Sequence, residues 1–253
     1  MYLTTTGIVL REVNYKEADK ILTVLTGELG KKTVQARACR RKNSKLTAGA
    51  QLLVYSEMTL HERNDRYTLH ELSVKSQFLG LQRDVTLLSL GSYFAQLLEV
   101  VAQEGTPHPE LLRLLLNSLY ALDTLEKPQA LVKAAFELAL MCRAGYAPML
   151  ENCAVCGAEE PKGPSLHLRE GVLHCAACRA QLGEGISMPL NAAALAALRH
   201  VAWGEEKKMF SFQLEGEGAQ RFYDLAEAFL LTQLERGFAT LDFYKQLQAI
   251  EQR

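Results

Sequence analysis

The sequence lacks a long uninterrupted apolar run. Its most apolar stretches, such as residues 111–122, contain Arg113 or Asn117 and fall short of the ~20 apolar residues that a bilayer span requires. Residues 1–6 have neither a basic start nor an apolar run followed by a small-residue cleavage site. We therefore expect no membrane span, no membrane partner and no signal peptide.

The sequence also lacks the short motifs of common enzyme classes. It contains no GxxxxGK(S/T) phosphate loop, GxGxxG, HExxH or GxSxG. Its six histidines do not fall at a helical spacing that suggests a metal triad. Adjacent carboxylates, such as Glu159 with Glu160 and Glu205 with Glu206, are interpreted as exposed loop charge. We therefore expect a protein without catalytic activity.

There is almost no net charge, −1 from 28 Lys+Arg and 29 Asp+Glu, but the charge is unevenly distributed. Residues 1–80 carry 13 Lys+Arg against 8 Asp+Glu, a balance of +5. Residues 81–253 carry 15 against 21, a balance of −6. We therefore expect a polyanion to be attracted to the N-terminal third of the chain.

Residues 29–56 include seven basic residues and no Asp or Glu. The seven are Lys31, Lys32, Arg37, Arg40, Arg41, Lys42 and Lys45. Four of them fall in residues 40–45, a polar segment whose long side chains could follow a nucleic-acid backbone. The pattern predicts a phosphate-binding surface. The alternative is a solvated loop that only keeps the domain soluble.

Two CxxC pairs give the strongest signal in the sequence. Cys153 and Cys156 are followed, after 18 residues, by Cys175 and Cys178, a spacing typical of structural zinc sites. Because four thiolates complete a tetrahedron around Zn²⁺, we expect one structural zinc ion per chain and no open coordination position. The alternative is a set of redox-active or incidental cysteines. Metal-bound thiolates without a signal peptide favour the cytoplasm over an oxidising compartment.

Four other residues are candidates for lesser roles. We expect His167 and His174, which lie in the same segment, to be on the surface of the zinc knuckle or around its ligands. Cys39 and Cys142 are isolated, and in a strand and a helix they should behave as small buried hydrophobes.

The first 80 residues contain five segments with the composition of β-strands. They are residues 7–13, 20–26, 31–39, 51–61 and 67–75. Five short strands without a long helix between them predict a small closed barrel. The five-stranded OB-fold is the commonest candidate of this size, and an SH3-like barrel is the alternative. Tyr2, Tyr15, Tyr55 and Tyr67 could stack bases on such a barrel, although strand aromatics are more often part of the core.

The rest of the chain has helical spacing. The predicted helices are residues 86–104, 109–125, 128–144, 191–203 and 218–236. Residues 209–214 are either a short strand or a connector. We therefore predict an α+β multidomain protein, with a barrel domain at residues 1–79 and a helical domain at residues 80–253. The zinc-binding insertion occupies about residues 150–185.

Several segments resemble the RecO family of DNA repair proteins. Residues 6–11 (TGIVLR), 17–23 (EADKILT), 30–31 (GK) and 36–45 resemble the N-terminal OB domain of that family. Residues 145–148 (GYAP) and 152–157 (NCAVCG) resemble its junction between helix and zinc site. The resemblance covers nearly the whole chain. It implies an OB-fold, a helical domain and a zinc knuckle inserted in the helical part.

The resemblance also implies a function. A protein of this family would bind single- and double-stranded DNA, anneal complementary strands and, with RecR, load RecA onto DNA coated with single-stranded-DNA-binding protein. Contacts with RecF and RecA would be indirect, and the protein would be associated with the bacterial nucleoid. Residues 239–242 (ATLD) depart from the basic segment that the family often has near the C-terminus, so we expect no DNA contact there.

The acidic C-terminal tail of single-stranded-DNA-binding protein ends in an apolar residue. Its receptor needs an apolar groove with a cation at the rim. Arg113, Lys133 and Arg143 are the candidate cations, because they lie beside the apolar stripes of predicted helices. The alternative is that these are surface charges laid over a packed core.

Two other functions are compatible with the sequence. A zinc-dependent enzyme acting on nucleic acid would need an open metal site or a carboxylate cluster for magnesium, and neither is visible in the sequence. A zinc-containing scaffold or transcription-associated protein would use the barrel to bind protein and leave the basic segment incidental. Strand annealing distinguishes this second alternative, because a scaffold has no reason to accelerate base pairing.

Overall fold

A computed structural model describes residues 1–251 of the chain. It forms two compact units, the first made of Met1–Leu125 with the chain from Phe238 on, and the second of Glu126–Gly237. The first unit thus contains helices as well as the barrel. The sequence analysis placed a domain boundary between residues 79 and 80, where the pattern changes from strands to helices. That boundary stays a prediction. Within residues 1–251, no helix is long and apolar enough to cross a membrane.

The barrel of the first unit has five strands. They are β1 (Tyr2–Tyr15), β2 (Asp19–Thr26), β3 (Gly30–Ala36), β4 (Tyr55–Arg63) and β5 (Arg66–Ser76). The strands close in the order β1-β2-β3-β5-β4, with β1 antiparallel to both β2 and β4. Strands β3 and β5 pair in parallel, with Val34 opposite Tyr67. This closed five-stranded barrel confirms the predicted OB-fold class.

Alternating residues of all five strands fill the barrel interior. The core includes Val9, Leu22, Val24, Val34, Met58, Leu60 and Leu69. Because side chains alternate between the two faces of a strand, the period-2 pattern of the sequence places these residues inside. Full burial of each such side chain contributes about 1.5–3 kcal/mol to folding.

Two tight turns fix the ends of the barrel strands. Asn64 and Asp65, between β4 and β5, both have positive φ values, 51° and 57°, as a type I′ hairpin turn requires. Gly30 has φ 68°, and a Cβ on it would lie 2.1 Å from the carbonyl oxygen of Thr106. Only glycine therefore suits this position.

Strand β3 ends three residues earlier than predicted, and residues 37–54 form a succession of turns. The carboxylate of Asp19 accepts hydrogen bonds from the backbone N–H of Ala38 (2.7 Å) and from the side chain of Gln35 (3.0 Å). The Ala38 bond, opposed by burial, lowers the pKa of Asp19. These bonds turn the chain out of the sheet, so Cys39 is buried in a turn and the prediction that it lies in a strand was wrong.

Among the described residues, four helices complete the first unit. They are α1 (Leu79–Arg83), α2 (Val85–Val101), α3 (Pro109–Asp123) and α7 (Ala239–Glu251). Asp84 caps α2 by accepting from the backbone N–H groups of Thr86 and Leu87. The final helix, α7, was not predicted. It packs against α2, where Thr240 Oγ1 lies 2.6 Å from Gln96 Oε1.

The second unit is built around α4 (Gln129–Arg143). Residues 131–141 of this helix are all buried, which is typical of a helix surrounded by neighbours. Two further helices, α5 (Ala192–Trp203) and α6 (Gly216–Leu234), pack against it. Three short strands form a separate sheet in the order β7-β6-β8: β6 (Ser165–His167), β7 (Val172–His174) and β8 (Ser187–Pro189). Residues 209–214 form a connector.

Candidate metal centre and nucleic-acid interface

The four CxxC cysteines converge. The Sγ atoms of Cys153, Cys156, Cys175 and Cys178 all lie within 4.8 Å of one another, and those of Cys156 and Cys175 are 3.8 Å apart. A tetrahedron with metal–sulfur bonds of ~2.3 Å has edges of about 3.8 Å. Four thiol ligands at these separations could hold a metal ion and fit a closed zinc site.

Local structure brings the two cysteine pairs together. The first pair lies in a turn in which the N–H of Gly157 donates to the Cys153 carbonyl at 2.9 Å. The second pair follows β7, and Cys178 lies in a short 3₁₀ helix, Ala176–Gln181. The β6–β7 hairpin between the pairs reverses the chain and brings the second pair next to the first. The N–H of Cys175 then lies 3.4 Å from Cys153 Sγ.

The electrostatics of the cluster favour a bound cation. Burial opposes ionisation of Cys153, but the backbone N–H groups of Cys156, Cys175 and Val155 outweigh it and lower the pKa of this thiol to about 6. Burial and the adjacent Cys156 and Cys153 raise the pKa of Cys178 to about 12. One thiolate therefore suppresses ionisation of its neighbours. A soft divalent cation relieves that repulsion and permits four thiolates.

Two histidines, His167 and His174, were predicted to lie on the knuckle surface or around the ligands, and the second alternative fits the structure. Both are buried, because they belong to the small sheet. His174 Nδ1 donates to the Cys175 carbonyl at 2.9 Å, and its Nε2 accepts from Ser187 Oγ at 2.9 Å. His174 thus ties the ligand-bearing chain to β8. His167 Nδ1 accepts from the N–H of Glu170 at 3.1 Å.

The seven basic residues predicted to contact phosphate fall into two groups. Five are exposed, at or after the end of β3: Arg37, Arg40, Arg41, Lys42 and Lys45. The other two are partly buried and engaged within the first unit. Lys31 Nζ donates to the Glu99 carbonyl at 2.5 Å, and Lys32 Nζ lies 4.8 Å from the ring centroid of Tyr67.

A groove of about 1070 Å³ lies on the barrel surface. Arg37 is the member of the exposed group that lines it, together with Leu46 and with Arg63 and Arg66 of the β4–β5 hairpin. The sequence reasoning missed these two arginines because they are isolated in the sequence. Parallel pairing of β3 with β5 brings them to the basic segment. The available signal was their place in the short polar segment between the predicted strands 51–61 and 67–75.

The tyrosines of the barrel differ in exposure. Tyr2 lines the groove and is 59% exposed. Tyr67 also lines it but packs partly against the barrel core. Tyr15 is exposed, and Tyr55 is partly buried. Of the four, Tyr2 therefore offers the groove the most ring surface.

The three cations predicted to bind an acidic tail lie in different surroundings. Arg113 is exposed on α3 of the first unit. Arg143, at the end of α4, donates from Nη1 to the Ala139 carbonyl at 3.0 Å. Lys133 is buried, and its Nζ lies 2.8 Å from Glu137 Oε1 and 2.8 Å from Glu227 Oε2. Since Lys133 is already paired with two carboxylates, it does not form an exposed cationic rim.

Comparison with known proteins covers almost the entire chain. Residues 1–78 match the family model described as Recombination protein O N terminal, and residues 82–242 match Recombination protein O C terminal. The chain is 30% identical over 250 residues to a DNA repair protein RecO of Acetivibrio thermocellus, covering 99% of each chain. It is 32% identical over 245 residues to the RecO of Anaeromyxobacter sp. (strain K), covering 96% of this chain and 95% of that one.

Proposed function

The chain belongs to the RecO family of DNA repair proteins, and from this premise we propose that it is a non-enzymatic recombination mediator. It binds single- and double-stranded DNA and anneals complementary strands. One observation carries the proposal: five exposed cations follow strand β3 of an OB barrel, and the first of them, Arg37, lines an open groove together with Arg63 and Arg66.

DNA binding begins with the phosphates. Arg37, Arg40, Arg41, Lys42 and Lys45 extend from exposed backbone with little secondary structure, so their side chains can follow a phosphate chain without unfolding the barrel. Phosphate contacts release counterions and are independent of sequence. Such contacts suit a protein that handles both single and double strands. Lys31 and Lys32 add positive potential while they remain attached to the fold.

Annealing requires that two strands be held near each other while their mutual repulsion is reduced. A surface that neutralises phosphates of both strands lowers that repulsion, because the field of several clustered cations is summed. With RecR, the protein would then promote RecA loading on DNA coated with single-stranded-DNA-binding protein, with RecF and RecA contacted indirectly. These activities place it with the bacterial nucleoid in the cytoplasm.

Zinc is the proposed metal, one ion per chain, held by Cys153, Cys156, Cys175 and Cys178. A four-thiolate site is coordinatively closed, so it supplies folding stability and no chemistry. His174 would act as a positioning residue through its bond to the Cys175 carbonyl. The second unit would depend on the ion more than the barrel does, because all four ligands belong to that unit.

The acidic tail of single-stranded-DNA-binding protein remains a proposed ligand of the helical part. Arg113 of the first unit and Arg143 of the second unit are alternative candidate cations for its carboxylates. Lys133 contributes by holding α4 and α6 together through Glu227.

Annealing of complementary fluorescent oligonucleotides, with and without single-stranded-DNA-binding protein, tests the proposal. We expect faster annealing in both conditions. No acceleration would favour the scaffold alternative. Cleavage of labelled DNA in the presence of magnesium would favour a zinc-dependent enzyme instead.

A further inference from the structure

Three ring-bearing residues from three different strands meet on the outer face of the barrel. Tyr2 on β1 lies directly opposite His61 on β4, and His70 lies on the adjacent strand β5. Their chain neighbours Leu60 and Leu69 are buried in the barrel core. Because side chains alternate along a strand, the three rings point away from the core and into the groove.

The three rings are in contact. The Tyr2 ring centroid lies 4.9 Å from that of His61 and 5.1 Å from that of His70, with interplanar angles of 49° and 59°. These are ordinary separations for aromatic pairs. Such clusters usually close a core, yet Tyr2 is 59% exposed and His70 is also exposed. The cluster therefore presents ring surface to solvent.

Charge around the groove favours an anionic ligand. Arg37, Arg63 and Arg66 line it, against the single carboxylate of Asp65. Arg63 and Arg66 flank the hairpin turn and line the same groove as the three rings, so one ligand in the groove can meet both cations and rings. A ligand that satisfies both must carry repeated negative charges and flat, unpaired rings. Single-stranded DNA meets this description, because the bases of a duplex are already stacked on one another.

We propose that Tyr2, His61 and His70 form a stacking platform for unpaired bases, while Arg63 and Arg66 contact the flanking phosphates. The platform rests on the proposed DNA-binding function and adds the part of the ligand that this groove recognises. The basic segment after β3 binds phosphates of either single or double strands. The platform gives the groove its preference for single strands.

Comparing a single-stranded oligonucleotide with an abasic oligonucleotide of the same length separates stacking from phosphate binding. Both carry the same phosphates, but only the first has bases. We expect the wild-type protein to bind the normal strand more tightly. The double variant Tyr2→Ala with His70→Ala should lose about fivefold or more of that affinity, since stacking on an aromatic side chain is worth ~1–3 kcal/mol per base. Its affinity for the abasic strand and for duplex DNA should be unchanged.

Three variants serve as controls. Tyr2→Trp and His70→Phe keep aromatic rings and should retain the preference for bases. His70→Phe also removes the ionisable group, so retained binding shows that ring surface and not charge is recognised. Tyr120→Ala removes an exposed tyrosine of the same unit that does not line the groove, and it should bind all three ligands as the wild type does. Thermal melting checks that each variant folds.

The outcomes separate the platform from the function on which it rests. In one outcome, the wild-type protein binds DNA while the double variant loses affinity for the normal and abasic strands equally, or loses affinity for neither. In either case the platform is overturned and DNA binding stands. If the wild-type protein binds no DNA, the proposed function and the platform both fail. If His70→Phe loses as much affinity as the double variant, then the charge of His70 and not its ring is recognised. That result would also overturn the platform.

Discussion

Lys133 and Glu137, one helical turn apart on α4, form a buried ion pair in which Nζ lies 2.8 Å from Glu137 Oε1. Glu137 is 0% exposed, and Glu227 of α6 approaches the same ammonium at 2.8 Å. A buried charge is tolerated only when it is paired. The three side chains therefore act as one unit that joins α4 to α6.

We expect Lys133→Met to destabilise the second unit by about 3–5 kcal/mol, because it leaves two carboxylates without their buried partner. Urea unfolding measures the change. Lys207→Met, an exposed lysine of the same unit, should change stability by no more than ~0.5 kcal/mol. Adding Glu137→Leu to Lys133→Met should recover part of the loss. Equal stability of Lys133→Met and wild type would contradict the structural role of the pair.

The same pair predicts a dependence on alkaline pH. Burial lowers the pKa of Lys133, but Glu137 and Glu227 outweigh it, so the net pKa is raised above the ordinary value of 10.5. A raised lysine pKa contributes stability that is fully present below the unfolded pKa and is lost as pH rises through the folded pKa. Once Glu137 and Glu227 are ionised in both proteins, the stability difference between wild type and Lys133→Met should therefore stay constant up to about pH 10 and shrink above 10.5. A difference that grows there would contradict the assignment.

Freshly purified, reduced protein should contain one zinc ion per chain, and Cys175→Ser should lower both metal content and thermal stability. Because its site belongs to the second unit, DNA affinity at a permissive temperature should fall much less. Metal analysis, thermal melting and DNA titration measure the three effects. Well under one equivalent of zinc in the wild-type protein would count against a structural zinc site.

Replacing Arg40, Arg41 and Lys42 together with Ala should weaken DNA binding and flatten its salt dependence. Each lost phosphate contact removes about 0.7–0.9 from the slope of log affinity against log salt. The barrel should remain folded, since these side chains are exposed. The pair Lys207→Ala and Lys208→Ala, exposed cations of the second unit, is the matched control. An unchanged slope in the triple variant would indicate that the segment is only solvated.

Titration of a labelled acidic tail peptide tests the proposed contact with single-stranded-DNA-binding protein. Arg113→Ala or Arg143→Ala should weaken binding through loss of a charge-assisted hydrogen bond. Lys133→Ala should act, if at all, through reduced stability of the second unit, which melting detects. Wild-type affinity in all three variants would show that the tail peptide binds to another surface.

The sequence by itself determined features that depend on local pattern. Strand-like composition predicted the five strands, and helical spacing of apolar residues predicted α2 to α4. The spacing of the CxxC pairs predicted the four-cysteine cluster, because each pair needs only a tight turn and a hairpin to join the other. These outcomes rest on short-range geometry, which side-chain periodicity encodes directly.

Tertiary structure decided which of these residues share an environment. Lys133 and Glu227 are far apart in the sequence, and only the packing of α6 on α4 turns a candidate surface lysine into a buried one. Arg37 directly follows β3 and Arg66 begins β5. The two line one groove because β3 and β5 pair in parallel. Helix α7 buries few side chains, Leu241 and Tyr244 among them, and its pattern is weak without α2 beside it. Contacts between distant segments decide which residues are buried and which charges are neighbours. Local periodicity in the sequence does not specify these contacts.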